Sequence, residues 1–376
     1  MKKSKTRENN FFSFFLYFII IFNKLNIIIT MKTIKKYNLY IFISSFTRNI
    51  IDVYSVIYLY QKGISVKNII AMYSLIYFFG TFISIFSIQL GNKIGYKYIL
   101  MLSSIATSIS FYILRTNNNL YLISILLSLS MFTYHPIKHY YGIKLLKYKS
   151  QIGNTLITTY IAALLSSYIA IKEVNIIYLV IISIIGILPA IFIEKEKTTN
   201  ITYPKTLPKN KVKFFILDQF KILFLLLEPL YLYILANNLK YVGIFNIILT
   251  ISSILCIIIL TKKVNLNKAY IYINIFFVII ILIKLNVTNK SLLLLLAFFQ
   301  GIGIKTNELV SNMNLYDQNK LTKGYIITAE KIFCLTRSLI LSIFYFTNFS
   351  LRTDLYLLTI GIFLLSFAFH KKRESF

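Results

Sequence analysis

Arg48 and Asp52 stand four residues apart in SSFTRNIIDVYS, a spacing that puts both side chains on one face of a helix. A guanidinium offers a planar fork of donors to an anionic group, and a carboxylate one turn away acts as its competitor or as a proton carrier. A second carboxylate, Glu228, immediately precedes Pro229, whose missing N–H removes a backbone hydrogen bond and favours a kink. Glu228 reads either as a proton-exchanging group or as the fixed partner of Arg337. Gln300, followed by Gly301 and Gly303, adds a polar group of the same kind. Further along come Lys305, Asn307 and Glu308, where an ion pair of Lys305 with Glu308 or a gate contact is expected. His135 and His139 have the i, i+4 spacing of a metal pair, but no acid follows in register and no glutamate lies between them, so no metal is expected. They read instead as facing one mouth of the protein with Lys144, Lys147 and Lys149. No glycine-rich phosphate loop is present, and no cofactor is expected.

These groups lie in oil. The chain of 376 residues is 57% hydrophobic and only 14% charged, with a mean hydropathy of +0.71, whereas about a quarter of a soluble domain is charged. Crossing a bilayer takes roughly 20 apolar residues, and runs of that length recur at 39–60, 68–90, 98–114, 119–137, 152–171 and 174–193, then at 214–236, 241–261, 269–288, 291–310, 324–347 and 353–370. Between the two sets lies EKEKTTNITYPKTLPKNKVK, residues 194–213, which can neither sit in hydrocarbon nor build a core. The expectation is an all-α membrane protein with twelve transmembrane helices in two pseudo-symmetric six-helix bundles, 31–193 and 214–376, joined by a basic cytoplasmic linker. Residues 1–30 read as an N-terminal extension, either upstream of a true start at Met31 or lying at the interface.

The net charge of +29 is explained without nucleic acid. With Met31 inside, the cytoplasmic loops hold roughly 23 basic residues and the opposite loops about eight, the asymmetry that sets orientation. Both termini are then cytoplasmic, and the protein is expected in the plasma (inner) membrane. Cys256 and Cys334 fall inside spans and read as small apolar fillers. With no Trp in the chain, tyrosines must make any interfacial belt.

A charge in the bilayer core is costly, so it faces the bundle interior or a wet cavity. Spans one, four, seven, ten and eleven carry such groups. Spans three, six and twelve carry none, and span nine carries only Lys284 near its outer end, where snorkelling is expected. Of the polar spans, one, four, seven and ten recur at every third position, and span eleven, with Glu330, Lys331 and Arg337, is additional.

This layout resembles the major facilitator superfamily, in which helices one, four, seven and ten line a cavity and three, six, nine and twelve form a scaffold. Between spans two and three, IQLGNKIGYKY is similar to the family's loop motif: Leu90, Lys93, Gly95 and Lys97 fit, beside Gly91. Ile88 replaces the first glycine, Asn92 the acidic residue, and Tyr96 the first basic one. An amide at position 92 hydrogen-bonds but makes no ion pair, which puts the family's charge network in doubt here. The resemblance covers about residues 31–370. It implies a secondary carrier for a small solute, anionic or polar where it meets Arg48, coupled to protons or another ion and surrounded by membrane lipid, with Arg48, Asp52, Glu228, Arg337 and Gln300 along the pathway and Leu90 to Lys97 as a gating loop. Two other architectures remain open: a flippase for lipids or lipid-linked polysaccharides, and a polytopic membrane transferase, which would need a catalytic cluster that the outer loops, with little acid beyond Glu173 and Asp354, do not supply.

Overall fold

The computed structural model describes residues 33–116, 119–146, 148–171, 176–191, 209–263, 266–315 and 323–370. The extension at 1–30, most of the linker and the C-terminal tail lie outside the described residues. Every regular element among those residues is helical: α1 (Thr33–Gln61), α2 (Val66–Ile94), α3 (Tyr96–Thr116), α4 (Leu120–Phe132), α5 (His135–Leu145), α6 (Lys149–Ile171), α7 (Ile176–Ile185), α8 (Ile187–Ile191), α9 (Lys209–Ala236), α10 (Leu239–Lys263), α11 (Leu266–Asn286), α12 (Lys290–Leu315), α13 (Lys323–Thr347) and α14 (Leu351–His370). By length and composition six segments are able to cross a membrane: Val66–Ile94, Tyr96–Thr116, Leu120–Leu145, Ser150–Ile169, Phe215–Ala236 and Leu239–Leu260. The start of α9 at Lys209 makes the last five residues of the polar 194–213 interval helical.

Local chemistry sets the breaks. Ser65 caps α2 by accepting from the Asn68 N–H, and Asn119 caps α4 by accepting from Tyr121 and Leu122. Gly95 ends α2 at φ +109°, a conformation closed to most side chains, so α3 restarts at once. The fourth apolar run is two helices because Pro136 has no N–H for the Phe132 carbonyl and sits instead in the first turn of α5. The sixth run breaks at Gly186.

The pattern of exposure is that of a protein in lipid. On α2, Phe78, Phe82 and Phe86 form an outward stripe, respectively 45%, 58% and 53% exposed, while Ser84 and Ser87 face inward fully buried. Ser103, Ser124, Ser128 and Ser253 are likewise sealed inside, and many such hydroxyls donate to the carbonyl four residues back, the way a hydroxyl is satisfied in an oily helix. The protein is an integral membrane protein. Residues 33–191 meet residues 209–370 chiefly where α2 lies along α13 and α6 along α10, with α1 against α9 between them.

Candidate functional site

Arg48 lies about 22 Å along α1, buried at 5% exposure. The break at Pro136 prepares its seat. At the end of α4 the N–H of Tyr134 turns back to Met131, leaving the Ser130 carbonyl to accept from Arg48 Nη2 at 2.6 Å and from Ser103 Oγ at 3.1 Å. Arg48 also donates to Ser103 Oγ and more loosely to Thr107 Oγ1 and Ser130 Oγ, both at 3.5 Å. Its guanidinium sits 4.1 Å above the Tyr134 ring. These contacts are all neutral, from dipoles and one aromatic face on α3, α4 and the turn to α5. Asp52 follows one turn along α1, and its side chain lies outside the described residues.

Glu228 belongs to a different cluster. It makes an ion pair with Lys284 of α11, while Gln300 of α12 closes the triangle: Lys284 donates to Gln300 Oε1 at 2.6 Å, and Gln300 Nε2 donates to both Glu228 oxygens at 2.7 and 2.8 Å. Lys284 is fully buried and stands 4.8 Å from the Phe224 ring centre and 5.4 Å from that of Phe245. The snorkelling expected of Lys284 does not occur. Side chains on a helix lean toward its N-terminus, so Lys284, close to the C-terminal end of α11, reaches back into the bundle. The Arg337 expected beside Glu228 is elsewhere: it donates from Nε to Gln219 Oε1 at 2.6 Å and lies 4.9 Å above the Tyr77 ring.

Arg337 therefore stands where α13 and α9 face α2. Around it an aromatic chain continues into the N-terminal half: Tyr77 meets Phe132 edge to face, Phe132 packs against His135, and His135 stacks on His139 with ring centres 6.5 Å apart. His139 Nε2 lies 3.5 Å from Glu330 Oε1 on α13. His135 also meets Tyr134, so this chain runs from the seat of Arg48 to the partner half.

Toward the end where Asn92 lies, two more polar links cross between the halves of the chain. Lys323 of α13 donates to Asn92 Oδ1 while facing the Tyr96 and Tyr140 rings at 5.2 and 5.6 Å. Tyr160 of α6 donates to Glu308 of α12, a contact between the halves, while the side chain of Lys305 lies outside the described residues. At the opposite end the hydrogen bonds between the halves are neutral: Ser74 reaches Ser338 and Ser342, and Gln61 donates to the Tyr233 hydroxyl at 3.0 Å, while Lys67 faces the Tyr345 ring at 4.9 Å.

Of the motif residues, Asn92 makes the contact just described. Gly91 lies so close to Tyr96 that a Cβ there would overlap its ring, and Gly95 supplies the cap. Leu90 packs on the core, Lys93 is exposed, and Lys97 lies 5.2 Å from the Tyr98 ring. Arg48, Glu228, Gln300 and Arg337 are thus inside the bundle, as Gln300 at 0% exposure illustrates, but they belong to three separate clusters. Sequence reasoning missed Lys323, Gln219 and the hydroxyls of α3, a span it treated as greasy scaffold, and it set Lys284 at the membrane surface instead of in the interior. The signal was present in LSSIATSIS, whose hydroxyls at 103, 104, 107, 108 and 110 are all buried.

No protein-family model matches the sequence, and no curated protein matches it significantly. The structure is similar to a bacterial homologue of the iron transporter ferroportin in its outward-facing state, with TM-score 0.61 and 11% identity over 91% of this chain and 99% of that one. It is also similar to the nucleoside transporter NupG, with TM-score 0.62 and 12% identity over 91% and 99%. The human organic anion transporter MFSD10 aligns at TM-score 0.62 and 10% identity, over 90% of this chain and 98% of that one. At such identities the likeness is one of fold alone: over about nine tenths of its length this chain has the fold that these transporters share.

Proposed function

We propose that this protein is a secondary carrier that moves a small solute by alternating access, with twelve spans forming two six-helix bundles, 31–193 and 214–376, the 194–213 linker and both termini being cytoplasmic. The observation that carries the reading is the burial of Arg48, Glu228 and Lys284, with Arg337 half-buried at the junction of the halves, inside a bundle of this fold. Ionisable groups held in the membrane interior at such expense mark a solute or ion pathway.

In this mechanism Arg48 offers the anionic or polar part of a solute a charge solvated until then by hydroxyls, a carbonyl and a ring. Glu228 exchanges its buried ammonium partner for a proton or for a cationic group of the solute, and Gln300, which binds both members, keeps whichever is left hydrogen-bonded. Arg337, between α13 and α2, reports occupancy to the junction. A ligand shifts the two-sided equilibrium only by its differential affinity for the two states, and these clusters are where such a difference would arise.

The test is uptake by purified protein in proteoliposomes, using radiolabelled nucleosides and small organic anions as the first panel because the structural neighbours carry those names. Expected is saturable uptake of at least one class, reduced by Arg48→Gln and dependent on an imposed pH gradient, a dependence that Glu228→Gln abolishes. Transport indifferent to the gradient in both proteins would remove the proton step. Absence of uptake across the panel, together with flipping of fluorescent lipid, would replace the carrier with a flippase.

A further inference from the structure

At the end where Gln61 lies, a cavity of about 410 Å³ opens between the start of α2, the last turns of α9 and α13, and the first turn of α14. Its floor is apolar, with Ile70, Tyr231 and Phe344, while Lys67 and Arg352 stand at its rim and Phe349, 52% exposed, forms its outer wall. Both cations are the second residue of their helices. Ile70 and Phe344 lie only about 5 Å further in and Tyr231 about 8 Å, so rim and floor span the depth at which head groups give way to acyl chains.

The partners of the two cations are neutral. Lys67 Nζ lies 4.9 Å from the Tyr345 ring centre, and Arg352 Nη2 donates to Asn286 Oδ1 at 3.2 Å and to the Tyr356 hydroxyl at 3.5 Å. Two positive charges over an apolar hollow at the membrane surface complement one kind of molecule, an amphiphile with an anionic head and a hydrocarbon tail. The cavity also lies where α2 meets α9 and α13, on the line along which the two halves of the chain meet. An occupant there touches both.

We infer that this cavity is a binding site for an anionic phospholipid of the surrounding bilayer, its phosphate between Lys67 and Arg352 and the upper part of one acyl chain against Ile70 and Phe344. The site is separate from the pathway proposed for the solute. It requires only the fold and the depth of the helix ends, so it stands or falls independently of transport.

The chain has no tryptophan, which allows a direct measurement. Phe349→Trp places a single indole reporter in the cavity wall, and Phe82→Trp, on the lipid-facing stripe of α2 at 58% exposure, reports the bulk bilayer. Each protein is reconstituted into phosphatidylcholine vesicles containing equal mole fractions of either dibrominated phosphatidylglycerol or dibrominated phosphatidylcholine. A phosphate contact worth about 1 kcal/mol per cation at the membrane surface corresponds to about fivefold enrichment for one cation and about thirtyfold for two. Expected is quenching of the cavity reporter by the anionic lipid at about one thirtieth of the mole fraction needed with the zwitterionic one, and no such preference at the stripe reporter. The preference of the cavity reporter is expected to vanish when Lys67→Gln and Arg352→Gln are combined with it, and to take an intermediate value with Arg352→Gln alone. Equal quenching of the cavity reporter by the two lipids overturns the site. So does a preference that persists without both cations, or one shared by the stripe reporter, which would be attraction to a basic protein in general.

Discussion

Glu228→Gln, Lys284→Met and their combination test whether the buried triangle of α9, α11 and α12 holds its charges in mutual balance. In the parent, Lys284 has no exposure and is satisfied by Glu228 and Gln300 Oε1. Glu228→Gln leaves the ammonium with a neutral amide and the faces of Phe224 and Phe245. Lys284→Met leaves the carboxylate with one side-chain amide. Stranding one member of a buried pair costs about 3–5 kcal/mol, whereas removing both is close to neutral. The two single costs sum to about 6–10 kcal/mol, and the double variant is expected to lose only about 1–2, a coupling of at least about 4 kcal/mol. At roughly 2 °C per kcal/mol for a chain of this size, each single variant loses about 6–10 °C and the double about 2–4 °C. The assay uses the chain's own buried thiols, Cys256 and Cys334, which react with a fluorogenic maleimide as detergent-solubilised protein unfolds on heating. A double variant that loses as much as the two single ones together would refute the reasoning, because the charges would then be contributing independently.

Four further outcomes follow from the same geometry. Asn92→Asp sets a carboxylate against Lys323 and is expected to raise the melting temperature, while Lys323→Met, by removing the donor that joins α13 to α2, is expected to lower it and to speed maleimide labelling of Cys334 in the folded state; an unchanged labelling rate would show that this contact holds nothing shut. Gly301→Ala drives a Cβ into Ser252 Oγ and the Leu249 carbonyl, so α10 and α12 must part, at about 1–3 kcal/mol measured by the same melt. Ser103→Ala/Thr107→Val withdraws two hydroxyls from Arg48 and is expected to cost about 1–3 kcal/mol, more than the same change at Thr158 of α6, whose hydroxyl donates to the Asn154 carbonyl of its own helix. In a Cys256→Ser/Cys334→Ser background, Ser342→Cys is expected to label faster than Ile157→Cys, one turn from Tyr160 on α6, in detergent-solubilised protein, because the hydrogen bonds across the Gln61 end are neutral; the reverse order would overturn that ranking of the two ends.

What the sequence revealed and what it hid divide along a physical line. Apolar runs of spanning length were legible because hydrocarbon imposes a minimum length and excludes charge, whereas the break before Pro136 went unread, since the run 119–137 is apolar on both sides of it. The presence of Arg48, Glu228, Gln300 and Arg337 in the interior was legible for the same reason. Their partners were not. Glu228 and Lys284 are 56 residues apart in the chain, and nothing local tells an inward lysine from a snorkelling one except the direction in which its helix runs. The hydroxyls of α3 were overlooked because serine in a membrane helix is usually satisfied by its own backbone, as Ser104 and Ser108 are here. Only the third dimension shows that Ser103 also faces an arginine.

The division of charge has a consequence for how such a bundle changes state. Arg48 is solvated by the N-terminal half, and Glu228 and Lys284 by the C-terminal half, so a relative movement of the halves strands none of these three. What the movement breaks is the seam. At the Asn92 end three links cross it: Lys323 to Asn92, His139 to Glu330 and Tyr160 to Glu308. A hydrogen bond to a charged group contributes about 1.5–3 kcal/mol and a neutral one about 0.5–1.5, so the two hydrogen bonds of Lys323 and Glu308 make opening this end cost on the order of 3–6 kcal/mol, and the serine and glutamine links at the other end about 1.5–4.5. Part of that cost is returned by new contacts and by water. Swinging a two-state equilibrium from 1:99 to 99:1 takes about 5.5 kcal/mol of differential affinity, the same order as the seam itself. In the proposed carrier, weak, switchable contacts between two halves that each hold their own buried charges are therefore what would let binding of one small solute decide which end is closed.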